Sequence, residues 1–77
     1  MTENQYRKLA ENFAKYADVS VHYQRFIPSM NRKVETTGLL KGIGVGCNAG
    51  TIILANLGYV YAIPFADVNF PKSNRNF

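Results

Sequence analysis

Along the first seventeen residues apolar positions recur at helical spacing. Tyr6, Leu9, Ala10, Phe13, Tyr16 and Ala17 form one stripe, and Arg7, Lys8, Glu11, Asn12 and Lys15 take the other side. Thr2, followed three residues later by Gln5, is a capping box in which each side chain satisfies a first-turn amide that lacks a helical partner. Glu3 adds favourable charge at that end, and Glu11 with Lys15 makes an i,i+4 pair. The pattern predicts an amphipathic helix over residues 3–17 that packs one face on a core.

At Asp18 the period changes. Val19, Val21 and Tyr23 alternate with Ser20, His22 and Gln24, which is strand spacing, and Pro28 opens a polar connection over residues 28–33. Residues 34–45 form a second extended stretch interrupted by Gly38, Gly42 and Gly44. Glycines inside a strand mark bulges where a small sheet bends. A turn over 46–50, a third strand over 51–55, a turn at Asn56, Leu57 and Gly58, and a fourth strand over 59–63 follow, with Pro64 as the stop. Residues 68–70 supply a last short edge strand. One helix followed by four to five short strands, the second bent at glycines, predicts an α+β, mainly β chain. In it the N-terminal helix caps a small antiparallel β-barrel over residues 1–70, and residues 71–77 are a polar tail.

The uncharged second half admits one rival. Between Lys41 and Asp67 lie 25 uncharged residues, long enough to span a bilayer, and Gly38, Gly42, Gly46 and Gly50 would form a small-residue ridge on a helix. In that reading the chain is a single-span membrane subunit of a larger complex. Asn48 and Asn56 interrupt such a span, and glycine is a poor helix former. The strand pattern at 19–24 would have no role in it, so the β reading is preferred.

Composition narrows the chemistry. Seventy-seven residues bury one core and no more. One cysteine (Cys47) and one histidine (His22) exclude an intrachain disulfide or a closed zinc site. The N-terminus lacks the apolar run of a signal peptide. The small size and single cysteine fit a cytoplasmic protein. Gly44, Gly46 and Ala49 match a loose GxGxxA pattern, but too little chain follows for a doubly wound nucleotide-binding sheet. The five carboxylates show no catalytic pairing, and Asp67 reads as a turn residue capping local amides. His22 reads as a solvent-facing imidazole and Cys47 as an inert thiol. No enzyme activity, cofactor or metal is expected.

Three runs carry a resemblance: residues 34–43, residues 51–54, and residues 61–68 with Ile63, Pro64, Phe65, Asp67 and Val68. Together they resemble the Sm-like small barrels, most closely the YolD-like family, with a similar arrangement in the C-terminal domain of the ribosome maturation factor family. The resemblance follows the order of elements from about Gln5 to Phe70. The chain departs from it at residues 27–31, where a glycine turn is usual, and at residues 45–50, where a charged turn is usual. The resemblance implies a helix-capped barrel, RNA binding or oligomerisation as in Sm-like barrels, and a link to DNA-damage responses as in YolD-like proteins. It carries over no catalytic residue.

Binding is the remaining function class. Nine Lys and Arg against five Asp and Glu give 9 − 5 = +4. Arg25, Arg32, Lys33 and Lys41 cluster around the first connection and second strand, with His22, Tyr23 and Phe26 interleaved, while Lys72 and Arg75 lie on the tail. Cations that neutralise phosphates beside aromatics that stack on bases make a nucleic-acid surface. Ten aromatics and a nearly uncharged half equally predict a partner-protein interface or self-association. The expectation is a non-enzymatic, regulatory binding module, either a host-complex inhibitor or a DNA-damage-related adaptor, with Arg25, Arg32, Lys33 and Lys41 as contact residues.

Overall fold

The computed structural model describes residues 1–71. The tail expected beyond residue 71 lies outside the described residues. The helical stripe folds as two pieces, α1 (Glu3–Glu11) and α2 (Phe13–Tyr16). Thr2 and Gln5 form the expected capping box: each side chain accepts the other's backbone N–H, at 3.1 and 2.9 Å. The continuous helix over 3–17 is interrupted at Asn12 (φ −123°, ψ 32°). There the side-chain amide donates to the Lys8 carbonyl at 2.9 Å, a local bond of the kind that competes with helix propagation. Glu11 and Lys15 thereby fall in separate pieces, and the helical ion pair is Glu3 with Arg7 at 3.5 Å. Asp18, at φ 64°, turns the chain out of the helix and donates its N–H to the Leu40 carbonyl.

Four antiparallel strands follow in sequence order: β1 (Ser20–Ile27), β2 (Arg32–Ile43), β3 (Thr51–Asn56) and β4 (Tyr59–Pro64). The first hairpin is tighter than the polar connection expected over 28–33, because Met30 and Asn31 donate to the Ile27 and Pro28 carbonyls. Asn31 supplies the left-handed residue at φ 52° that lets a four-residue loop close. Strand β2 shifts register between Leu40 and Gly42, a bulge in the stretch whose glycines predict a bend. The β3–β4 hairpin closes in two residues, Leu57 and Gly58, both at positive φ.

Paired residues share a face of the sheet. The inner face carries Val21, Tyr23, Leu40, Ile52 and Leu54, which bury with Leu9 of α1 and with Val68. Tyr6 stacks on Phe65 with ring centroids 4.8 Å apart and its hydroxyl accepts the Gly50 N–H, while Tyr16 meets Phe70 edge-on. The helix is thus sealed against the chain that follows β4. The Met1 ammonium completes this seal by donating to the Phe65 and Val68 carbonyls.

Two expectations are corrected. The sheet does not close into a barrel: β1 and β4 remain its two edges, and the expected fifth strand over 68–70 contributes one isolated bridge, Tyr23 to Val68. Among the described residues the chain after β4 makes a 3₁₀ turn (Phe65–Asp67) and then this one bridge, with no further ladder. The membrane-helix rival also fails. Gly38 and Gly42 lie in β2, Gly46 opens a 3₁₀ turn at φ 63°, and Gly50 sits at φ 87°, so no helical ridge joins them. Among the described residues no helix is long and apolar enough to cross a membrane.

Candidate functional site

The four cations singled out in the sequence do not converge on one face. Arg25 pairs with Val34 and Arg32 with Ile27, which puts both arginines on the inner face beyond the core. Lys33 pairs with Phe26 on the outer face. Lys41 sits at the bulge, nine residues from Arg32 and so about 30 Å further along the strand. Three of the four also have partners. Arg25 lies 4.8 Å over the Tyr61 ring, Lys33 reaches Asp67 at 2.9 Å, and Lys41 pairs with Asp18. Arg32 has none among the described residues. Asp67 therefore serves as an ion-pair partner for a distant strand rather than as a cap for local amides.

The remaining polar groups are similarly dispersed. His22 and Thr37, paired on the outer face, lie 3.3 Å apart through Nδ1 and Oγ1, and the same Nδ1 is 3.1 Å from Glu35. The imidazole is exposed, as its alternation predicts. Cys47 is an exposed free thiol in the first 3₁₀ turn. That turn joins two antiparallel strands, so the GxGxxA pattern lies outside the strand-to-helix setting that a dinucleotide needs. Among the described residues no group of three or more His, Cys, Asp or Glu could hold a metal.

The most distinctive surface is one that residue chemistry alone does not announce, the free edge of β4. The Phe65 N–H donates to the Gly50 carbonyl at 3.0 Å, and this sets the phase of the β3–β4 ladder. Since antiparallel pairs bond alternately, Tyr59, Tyr61 and Ile63 turn their backbone groups toward Asn56, Leu54 and Ile52. Val60 and Ala62 therefore direct N–H and C=O outward, away from the sheet. Both residues are exposed, Val60 to 67%.

The opposite edge is dressed differently. On β1, Val68 bridges Tyr23, Asn69 donates to the His22 carbonyl, and Lys33 and Asp67 tie the covering segment down. Natural sheets blunt an open edge with a charge, a proline, a bulge or a covering segment. Strand β4 has only its terminal Pro64, and residues 42–66 contain no charge. Behind the edge the outer face stays apolar. Leu39, Ala55 and Val60 make one cross-strand row and Gly42, Ile53 and Ala62 the next, with Leu39 42% exposed. Leu57, 89% exposed, projects at the hairpin tip.

Sequence reading missed this site because alternation reveals the face of a residue and says nothing of which strand is outermost. The available signal was the uncharged run that ends at Asp67. No family model matches the chain, and neither the curated proteins nor the solved structures yield a match.

Proposed function

We propose that this chain is a non-enzymatic binding module whose contact element is the β4 edge, which takes up an extended strand of a protein partner by strand addition. The observation that carries this reading is the pair of outward backbone groups at Val60 and Ala62 on an uncharged, exposed strand. Strand addition needs unpaired ladder groups for affinity and alternating side chains for selectivity. Here the alternate side chains are Val60 and Ala62 on one face and Tyr59, Tyr61 and Ile63 on the other.

A nucleic-acid surface is supported less well, since the four candidate cations are divided between faces and three already have partners. Such exposed pairs hold by only about 0–1 kcal/mol each, so the weakness of that reading lies in placement more than in strength.

Residue-resolved amide exchange tests the reading. In the dilute protein the Val60 and Ala62 amides should exchange at rates near those of an unstructured chain, while Tyr61 and Ile63 stay protected. Slow exchange at Val60 and Ala62 in a monomer at high dilution would mean that the edge is already occupied, and would overturn the proposal.

A further inference from the structure

The β4 edge is complementary to itself, and we infer that its occupant is a second copy of this chain, paired antiparallel β4 to β4 about a two-fold axis at Tyr61. This inference rests on the strand-addition reading above.

Antiparallel pairing of a strand with its own copy is isologous, so each residue meets the one for which the two residue numbers add to a constant. That sum must be even if equivalent faces of the two sheets are to join. It must also set outward-directed residues opposite one another, because the residues between them are bonded to β3. With the two-fold at Tyr61, Val60 of each copy faces Ala62 of the other, and both pairs exchange N–H and C=O. Four ladder bonds result. Moving the axis to Ala62 sets Val60 against Pro64, which has no N–H, and moving it to Val60 sets Ala62 against Gly58 in the hairpin turn. The Tyr61 register alone pairs both the outward N–H and the outward C=O of Val60 and Ala62.

Side chains agree with the backbone. On the outer face the large Val60 meets the small Ala62, and the apolar rows from Leu39 to Val60 and from Ile53 to Ala62 run on into the second copy. The antiparallel sense also brings the exposed Leu57 tip of each copy to the exposed Pro64 end of the other. The chain carries a net charge of +4, so two copies repel wherever cations meet. Residues 42–66 bear no charge, so the ladder itself sets no charge against another; the nearest cation is Arg25, stacked 4.8 Å over the Tyr61 ring of its own copy beside the axis. A charged partner would find nothing on the strand to pair with, whereas a second copy presents the same uncharged strand.

Sedimentation equilibrium of the full chain over a hundredfold concentration range, with reductant present to keep Cys47 from cross-linking, reads the assembly directly. A rise in mean mass from one chain to two is expected, and Val60 and Ala62 amide protection should rise with it. Ala62→Lys adds a charge to the edge without altering the backbone, and Ala62→Pro removes one outward N–H. Each should stay monomeric at concentrations where the parent is at least half dimeric, and the far-ultraviolet circular dichroism spectrum verifies that each variant is folded. For register, in a Cys47→Ser background, Tyr61→Cys should oxidise to a covalent dimer at least tenfold faster than Leu57→Cys.

A monomer at every concentration, with Val60 and Ala62 exchanging freely, would overturn the self-pairing and leave the edge open to another strand. Protection of both amides in a dilute monomer would overturn the self-pairing and the strand-addition reading together. A dimer unchanged by Ala62→Lys, or faster cross-linking through Leu57→Cys, would place the contact elsewhere and overturn the inference.

Discussion

Val68 and Tyr23, each about 1% exposed, form an isolated antiparallel bridge, the single one among the described residues between the segment after β4 and the first strand. This one pairing brings the end of the described chain back to its first strand. It is flanked by the Asn69 amide on the His22 carbonyl, the Lys33 ammonium on Asp67 and the Met1 ammonium on the Val68 carbonyl. Removing buried methyl groups here loosens the β1 edge as well as the core. Val68→Ala should destabilise by about 2 kcal/mol, which in a domain this small lowers the melting temperature by about 10 °C. Thermal unfolding followed by circular dichroism measures it, and a parent-like melt would mean that the bridge contributes little.

The helix should depend on one side chain above all. Leu9 is fully buried among Val21, Tyr23, Leu40, Ile52, Leu54 and Val68, while Phe13 is half-buried at the margin. Leu9→Ala is expected to cost about 2–5 kcal/mol. Phe13→Ala should cost less than Leu9→Ala, despite deleting more atoms, because less of its surface leaves water. Urea titration of both variants gives the order, and the reverse order would move the anchor of the helix to Phe13.

Two glycines of the same stretch, Gly42 and Gly44, should behave in opposite ways. A Cβ at Gly44 would lie 2.1 Å from the Asn48 carbonyl oxygen and 2.2 Å from the Thr51 hydroxyl, whereas one at Gly42 would meet only the Ile53 side chain at 3.7 Å. The Gly44 neighbour is backbone and cannot rotate away. Gly42→Ala should stay within about 1 kcal/mol of the parent. Gly44→Ala has to displace the 3₁₀ turn and should cost more than about 2 kcal/mol. Equal midpoints in denaturant for the two variants would refute the close approach.

Leu57 occupies the first position of the two-residue β3–β4 turn at φ 51° and is 89% exposed. Left-handed backbone costs a branched residue about 1–2 kcal/mol, and asparagine adopts it with much less strain. Leu57→Asn should therefore stabilise the monomer by about 0.5–1 kcal/mol, having little buried surface to lose. A lower unfolding midpoint would show that the leucine makes a contact in the free protein that outweighs its strain.

The exposed ion pairs should matter little to stability. A double-mutant cycle on Lys33 and Asp67, with each changed to alanine, is expected to give a coupling of about 0.2–1 kcal/mol that shrinks with added salt. A coupling above about 2 kcal/mol, or one that salt leaves unchanged, would mean that this pair acts as a buried clasp on the β1 edge.

Much of the local structure is legible in the sequence because its causes are local. The capping box at Thr2 and Gln5, the strand alternation around Val21 and Tyr23, the glycine-marked bulge near Gly42 and the existence of a turn after β3 each follow from a few neighbouring residues, although that turn keeps Asn56 in the strand and puts Leu57 at positive φ. The helix break at Asn12 depends on a single amide choosing the Lys8 carbonyl, an outcome that periodicity does not encode. Tertiary structure decided the rest. Charge spacing along the chain drew Arg25, Arg32, Lys33 and Lys41 together, yet pleating divides them between faces and folding supplies three of them with partners from distant elements. Whether the meander closes was likewise beyond the sequence. It turns on how many residues after β4 can reach β1; among the described residues only Val68 makes that bridge, and Val60 and Ala62 stay on the outermost strand with their backbone groups unpaired.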